Sequence, residues 1–200
     1  MKRGTVKRLA AAGFTALTLG TTALSMAAPL AGAAPAVPAA HAVLADINGQ
    51  PDPEGSISPD IIAKLLCQSS SPNNCLAANS GQIISVSSGG TALKWHGNGN
   101  TYTTGGITYN TGTLNMPSQS PACLGVNGFG NVTLQNCTTG TGIIWLAGLS
   151  NGHHVYGNRY EIQQRGNFQA LATSGSDGGV AFVASYPPAN GVYERYDYQS

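Results

Sequence analysis

Residues 123–145 read CLGVNGFGNVTLQNCTTGTGIIW, and the way this stretch is read decides the fold. Cys123-Leu-x-Val126 and Val132-x-Leu134 are short apolar-alternating runs, the pattern of half-buried strands. Asn127-Gly128 sits between them, and Asn-Gly permits the positive backbone angles of a tight hairpin turn. Cys137 closes the unit and Trp145 follows eight residues later. The stretch is therefore a cysteine-bracketed hairpin with a large aromatic just past it.

The same grammar extends outward along the chain. QIISVS, NVTLQN, GIIWLAG, HHVYG, RYEIQQ and GVAFVAS are rich in Val, Ile, Thr and aromatics. They are punctuated by Asn98-Gly99, Asn151-Gly152 and Asn190-Gly191. Many short strands between such turns indicate an all-β sandwich or barrel. Cys75-Leu76, Cys123-Leu124 and Ala170-Leu171 open three segments at spacings of 48 and 47 residues. Trp95, Trp145 and Tyr193 close them, 20, 22 and 23 residues after each opener. Three units of one length predict a pseudo-threefold β-trefoil. Residues 97–120 read as an insertion between the first two units.

Upstream, Lys2, Arg3, Lys7 and Arg8 precede an Ala/Leu/Thr-rich apolar run from Leu9 to Leu30 and then small residues. This is the pattern of a secretory signal peptide, with cleavage after Ala33 or Ala42. No Arg-Arg pair marks the twin-arginine route. Taking the second site gives a signal over 1–42, a flexible leader over 43–57 and a trefoil domain over 58–200. Ser58 as N-cap, Pro59 at the first helical position, and Ile61, Ile62, Leu65 and Leu66 at helical spacing predict one short helix at the start of that domain.

The chain after Ala42 keeps five basic residues (Lys64, Lys94, Arg159, Arg165, Arg195) against eight acidic ones, a formal charge of −3. No basic patch remains to neutralise phosphates, so nucleic acid is not an expected partner. Nor is a membrane once the signal is removed, because no later apolar run could span one. Charged residues are 8% of the chain, against about 25% in typical soluble proteins, so Asn, Ser, Thr, Gln and Gly must supply the polar surface. Such a surface suits uncharged, hydroxyl-rich ligands. In an exported chain, four cysteines imply two disulfides, and proximity favours Cys67–Cys75 and Cys123–Cys137.

With these features in place, residues 65–200 resemble the ricin-type β-trefoil lectins and carbohydrate-binding modules. The likeness is carried by Cys-Leu-x-Val, the turn, Val-x-Leu, the second Cys and the closing Trp of residues 123–145. The resemblance supports the Cys123–Cys137 bridge and implies that Trp95, Trp145 and Tyr193 pack the core. It also implies a sugar pocket made of a carboxylate, a stacking aromatic and an Asn. Those positions are held by Ala77, Gly125 and Ala172 for the carboxylate, by Gln135 for the aromatic of the second unit, and by Ala92, Gly142 and Asn190 for the Asn. Only the third unit retains any of the set. The expected contact is therefore Tyr186, Asn190 and Tyr196, within the tyrosine-rich stretch 185–200.

Catalysis is not expected. A glycosidase needs two carboxylates about one bond, and no spacing pairs Glu161 with Asp177 or Glu194. His153 and His154 are adjacent, so on a strand they point to opposite faces and cannot share an ion. Metal-ligand and serine-nucleophile motifs are absent, so neither metal nor cofactor is expected. The sequence thus points to a secreted, non-catalytic carbohydrate-binding protein. The alternatives are a trefoil that binds or inhibits a protein, and a structural cell-surface protein.

Overall fold

A computed structural model describes residues 49–53, 63–87, 89–119, 122–175, 177–189 and 191–200. All of these belong to one compact unit, His41–Ser200. The signal segment, most of the leader and residues 58–62 of the expected helix lie outside the described residues.

The strands in chain order are β1 (Asp52–Pro53), β2 (Leu65–Gln68), β3 (Ser71–Asn79), β4 (Gln82–Val86), β5 (Lys94–Thr104), β6 (Ile107–Asn115), β7 (Cys123–Val126) and β8 (Val132–Gln135). They continue with β9 (Trp145–Ser150), β10 (His153–Asn158), β11 (Gln169–Ser174), β12 (Phe182–Ser185), β13 (Val192–Tyr193) and β14 (Tyr196–Gln199). A single helix among the described residues, α1 (Arg159–Arg165), lies between β10 and β11.

The all-β class is as expected, but the β-trefoil is not what forms. Antiparallel pairings run β9-β6-β7-β8-β4-β3-β2-β14-β10, and β10 pairs back onto β9 to close a nine-stranded barrel. A threefold fold would place its three openers at equivalent positions. Here Cys75-Leu76 lies on β3 and Cys123-Leu124 on β7, both in the ring, whereas Ala170-Leu171 lies on β11, which pairs outside it. The closers are just as unlike: Trp145 is on ring strand β9, while Trp95 on β5 and Tyr193 on β13 belong to strands off the ring.

Other expectations are corrected at the level of single elements. Leu65 and Leu66 lie in strand β2, paired with Gln199 and Tyr198 of the C-terminal strand, so no helix runs through them. The true helix falls in RYEIQQ, read above as a strand. Asn158 caps it by accepting from the Glu161 N–H at 3.2 Å, and Gly166 ends it in the left-handed conformation (φ 76°). The sequence leaves the order of the 97–120 segment open; most of it forms the long β5–β6 hairpin. At the N-terminal side, the leader's Asp52–Pro53 pairs with β9, and the Tyr109 hydroxyl donates to Pro51 O at 2.6 Å. Pro51 and Asp52 are buried, so this part of the leader belongs to the fold.

Strand alternation builds two cores on opposite sides of the barrel wall. On β9, Trp145 and Ala147 join one cluster while Leu146 joins the other. On β10, Tyr156 and Val155 divide in the same way. The first cluster contains Leu66, Leu76, Ile83, Trp95, Leu114, Leu124, Trp145, Tyr156 and Tyr196, so side chains pack the space the ring encloses. Trp95 and Trp145 are both buried, and Trp145 Nε1 donates to Leu124 O at 2.9 Å. The second cluster packs α1 and Phe168 against Tyr109, Leu146 and Val155. Both expected disulfides are formed, Cys67–Cys75 and Cys123–Cys137, and they mark an oxidising environment. No helix among the described residues is long and apolar enough to cross a membrane.

Candidate functional site: a cleft at the C-terminal edge

Of the expected sugar contacts, Tyr186 and Tyr196 are both buried. Tyr196 is fully buried in the barrel, 0% exposed, because it sits on a ring strand opposite Gln68 and faces inward. Tyr186 packs its ring edge-on to Phe168 in the second core, and its hydroxyl donates to Ser150 Oγ at 2.7 Å. Neither offers a ring face to a ligand. Asn190 lies outside the described residues. The pocket positions of the second unit are closed as well. A Cβ at Gly125 would lie 2.6 Å from Gln135 Cδ, so the Gln135 amide fills the place of a side chain there. That amide donates to Val126 O at 3.2 Å.

The same C-terminal stretch does, however, form one wall of a cleft of about 330 Å³. Ser69 and Ser70, in the turn from β2 to β3, face Pro187, Pro188 and Ala189 beyond β12, together with Gly191, Val192, Glu194 and Arg195 before β14. Backbone bonding holds the lining: Ser69 N–H donates to Arg195 O at 2.9 Å across the two walls, and Val192 N–H to Ala189 O at 3.3 Å within one of them. The Cys67–Cys75 bridge closes the loop that carries the two serines.

Glu194 is the carboxylate of this cleft, and its side chain is only 6% exposed. Arg195 Nε stands 3.4 Å from Glu194 Oε1, close enough for charge attraction but outside hydrogen-bond geometry. The Arg195 side chain is 40% exposed.

Buried polar groups adjoin the cleft in the chain. Gln68 Nε2, one residue before Ser69, donates to Thr173 Oγ1 at 2.7 Å and to Ser85 Oγ at 3.1 Å. Burial pushes the Tyr196 phenol well above the ordinary tyrosine range, a hydrogen bond with Thr173 opposes the rise, and the Glu194 charge adds to it. The cleft thus combines a recessed anionic acceptor, a guanidinium and two serines with apolar proline walls. The proline pair was passed over in favour of the neighbouring tyrosines, although Pro-Pro beside Asn-Gly marks a surface turn.

Three other acidic side chains bond away from the cleft. Glu161 accepts from Arg165 Nε at 2.8 Å along the helix. Asp177 accepts from Ser87 N–H at 2.8 Å and Ser87 Oγ at 2.9 Å, which holds its carboxyl below the usual aspartate range. His153 Nδ1 lies 2.9 Å from Asp197 Oδ1, while His154 stacks with Tyr156 and meets Tyr198 edge-on. Among the described residues no group of three His, Cys, Asp or Glu side chains could hold a metal ion.

Compared with family models, with curated proteins and with solved structures, the chain matches none.

Proposed function

We propose that this is an exported, non-catalytic binding protein whose cleft over Glu194 and Arg195 takes an uncharged, hydroxyl-rich ligand of the saccharide class. The carrying observation is a cleft lined by Glu194, whose side chain is nearly buried, together with Arg195, Ser69 and Ser70. Adjacent sugar hydroxyls donate to such an acceptor and accept from such donors, and charge-assisted bonds of this kind are the stronger ones. Pro187 and Pro188 offer apolar walls to the C–H face of a ring. A volume of about 330 Å³ sits at the low end for small-molecule sites, the size of one or two sugar rings. The acid inventory favours binding over hydrolysis: among the described lining residues Glu194 is the one carboxylate, whereas glycoside cleavage takes two. The packed barrel interior turns recognition toward the surface.

The test is a glycan array followed by titration of the best soluble saccharide into wild type and Glu194→Gln. The expected result is micromolar-to-millimolar binding that weakens about 10- to 100-fold in the variant, with near-ultraviolet circular dichroism unchanged. Equal affinity in both proteins, or no saccharide bound by wild type, rejects the reading.

A further inference from the structure

Phe129 is 90% exposed, against 39% for Tyr160 and 36% for Val180, the other exposed large hydrophobics of the described residues. It sits in the turn of the β7–β8 hairpin, and that turn is locked by one side chain. Asn127 Oδ1 accepts from Phe129 N–H and from Asn131 N–H, both at 3.0 Å. Asn127 N–H donates to Asn131 O at 3.0 Å, and Gly130 N–H to Asn127 O at 2.9 Å. The fold gains no packing from the ring, yet the backbone beneath it is held by four hydrogen bonds.

The surroundings say what the ring meets. Gly128 and Gly130 flank it and carry no side chains to cover its faces, and beyond its chain neighbours no atom lies within 4 Å of where a Cβ on Gly128 would stand. The rest of the turn is Asn127 and Asn131, uncharged amides that hydrogen-bond hydroxyls. Arg165 stands beside the turn: its Nη2 lies 3.5 Å from a Cβ built on Gly130, and its Nε is already engaged by Glu161. A pre-ordered turn of uncharged residues bearing one exposed aromatic ring fits the flat face of a sugar ring within a packed, uncharged polysaccharide. A recessed cleft cannot reach such a surface.

Resting on the saccharide reading above, we infer that Phe129 is a second contact that stacks on rings at the surface of an insoluble neutral polysaccharide, while the cleft takes soluble chains or ends. The test is depletion of the exported protein from solution by microcrystalline cellulose, chitin and starch granules, using wild type, Phe129→Ala, Phe129→Leu, Phe129→Trp and Glu194→Gln. Wild type is expected on at least one solid. Ala and Leu should each lose about tenfold in affinity, because stacking needs a π face, and Trp should hold or gain. Undiminished binding by Phe129→Ala, full rescue by Leu, or no retention of wild type on any solid overturns the inference. A Leu rescue would point to an apolar pocket on a partner. Soluble-saccharide titration of the same proteins separates the two claims. Loss of soluble binding in Glu194→Gln alone keeps the cleft even if the tip fails. Retention on a solid that depends on Phe129, without soluble binding, keeps the tip and removes the cleft.

Discussion

The amide of Gln135 lies where a side chain on Gly125 would go, and this one contact shows how far residue-level reading reaches. The sequence does reveal that position 125 carries no carboxylate. It cannot reveal that the neighbouring strand fills the gap. Tyr196 shows the same limit: a tyrosine in an aromatic-rich terminal strand has two faces open to it, and its partner strand decides which one is buried. Opposite Gln68 it faces the barrel interior. That placement has a measurable consequence. With the folded-state phenol held above the ordinary value near 10, the unfolded chain ionises first as pH rises. The contribution is fully present below about pH 10 and is lost as pH climbs toward the folded value. Thermal midpoints of wild type should therefore fall more steeply between pH 9.5 and 11.5 than those of Tyr196→Phe. Parallel curves would place the phenol in solvent.

Elements were legible where their signals are local. Asn151-Gly152 turns β9 into β10, with both residues at positive φ (51° and 81°), as an Asn-Gly hairpin requires. The two disulfides followed from proximity. Helix α1 was missed although Asn158, Glu161, Arg165 and Gly166 supply a cap, a first-turn acid, an i,i+4 pair and a terminator. Tyr160 and Ile162, an aromatic and a β-branched residue, make the same six residues read as one more strand in a sequence otherwise rich in them. The reverse error at Leu65-Leu66 has the same root, since four apolar residues at helical spacing also fit a strand buried on both faces. The quoted hairpin, β7 and β8 with its bridge, is the best-read element. Its disulfide spans 14 positions, and closing a loop of that length stabilises by about 3 kcal/mol. Replacing Cys123 and Cys137 by serine should lower the urea-derived stability by about that amount. A loss under about 1 kcal/mol would mean that the ladder alone holds the hairpin.

At the scale of the molecule, the sequence predicts an all-β chain and misjudges how its strands close. A stapled hairpin followed by a core tryptophan is compatible with a trefoil and with this barrel alike, because both need the same local unit. What separates them is long-range. β2 pairs with β14 across most of the domain, β8 meets β4 through Gln82 and Thr133, and β10 joins both β9 and β14. No spacing between motifs encodes those partners. The candidate site was half legible: residues 185–200 stand out for their tyrosines, of which Tyr186 and Tyr196 are buried, while Glu194, Arg195 and the prolines of the same stretch form the cleft with serines more than a hundred residues earlier. The most direct measurement is a chemical-shift map of the ¹⁵N-labelled protein titrated with a saccharide selected on the array. Perturbations centred on Ser69, Ser70, Gly191, Val192, Glu194 and Arg195 are the predicted result. Perturbations centred on Ala77, Gly125 and Ala172, or an unchanged spectrum with every saccharide, would contradict the account.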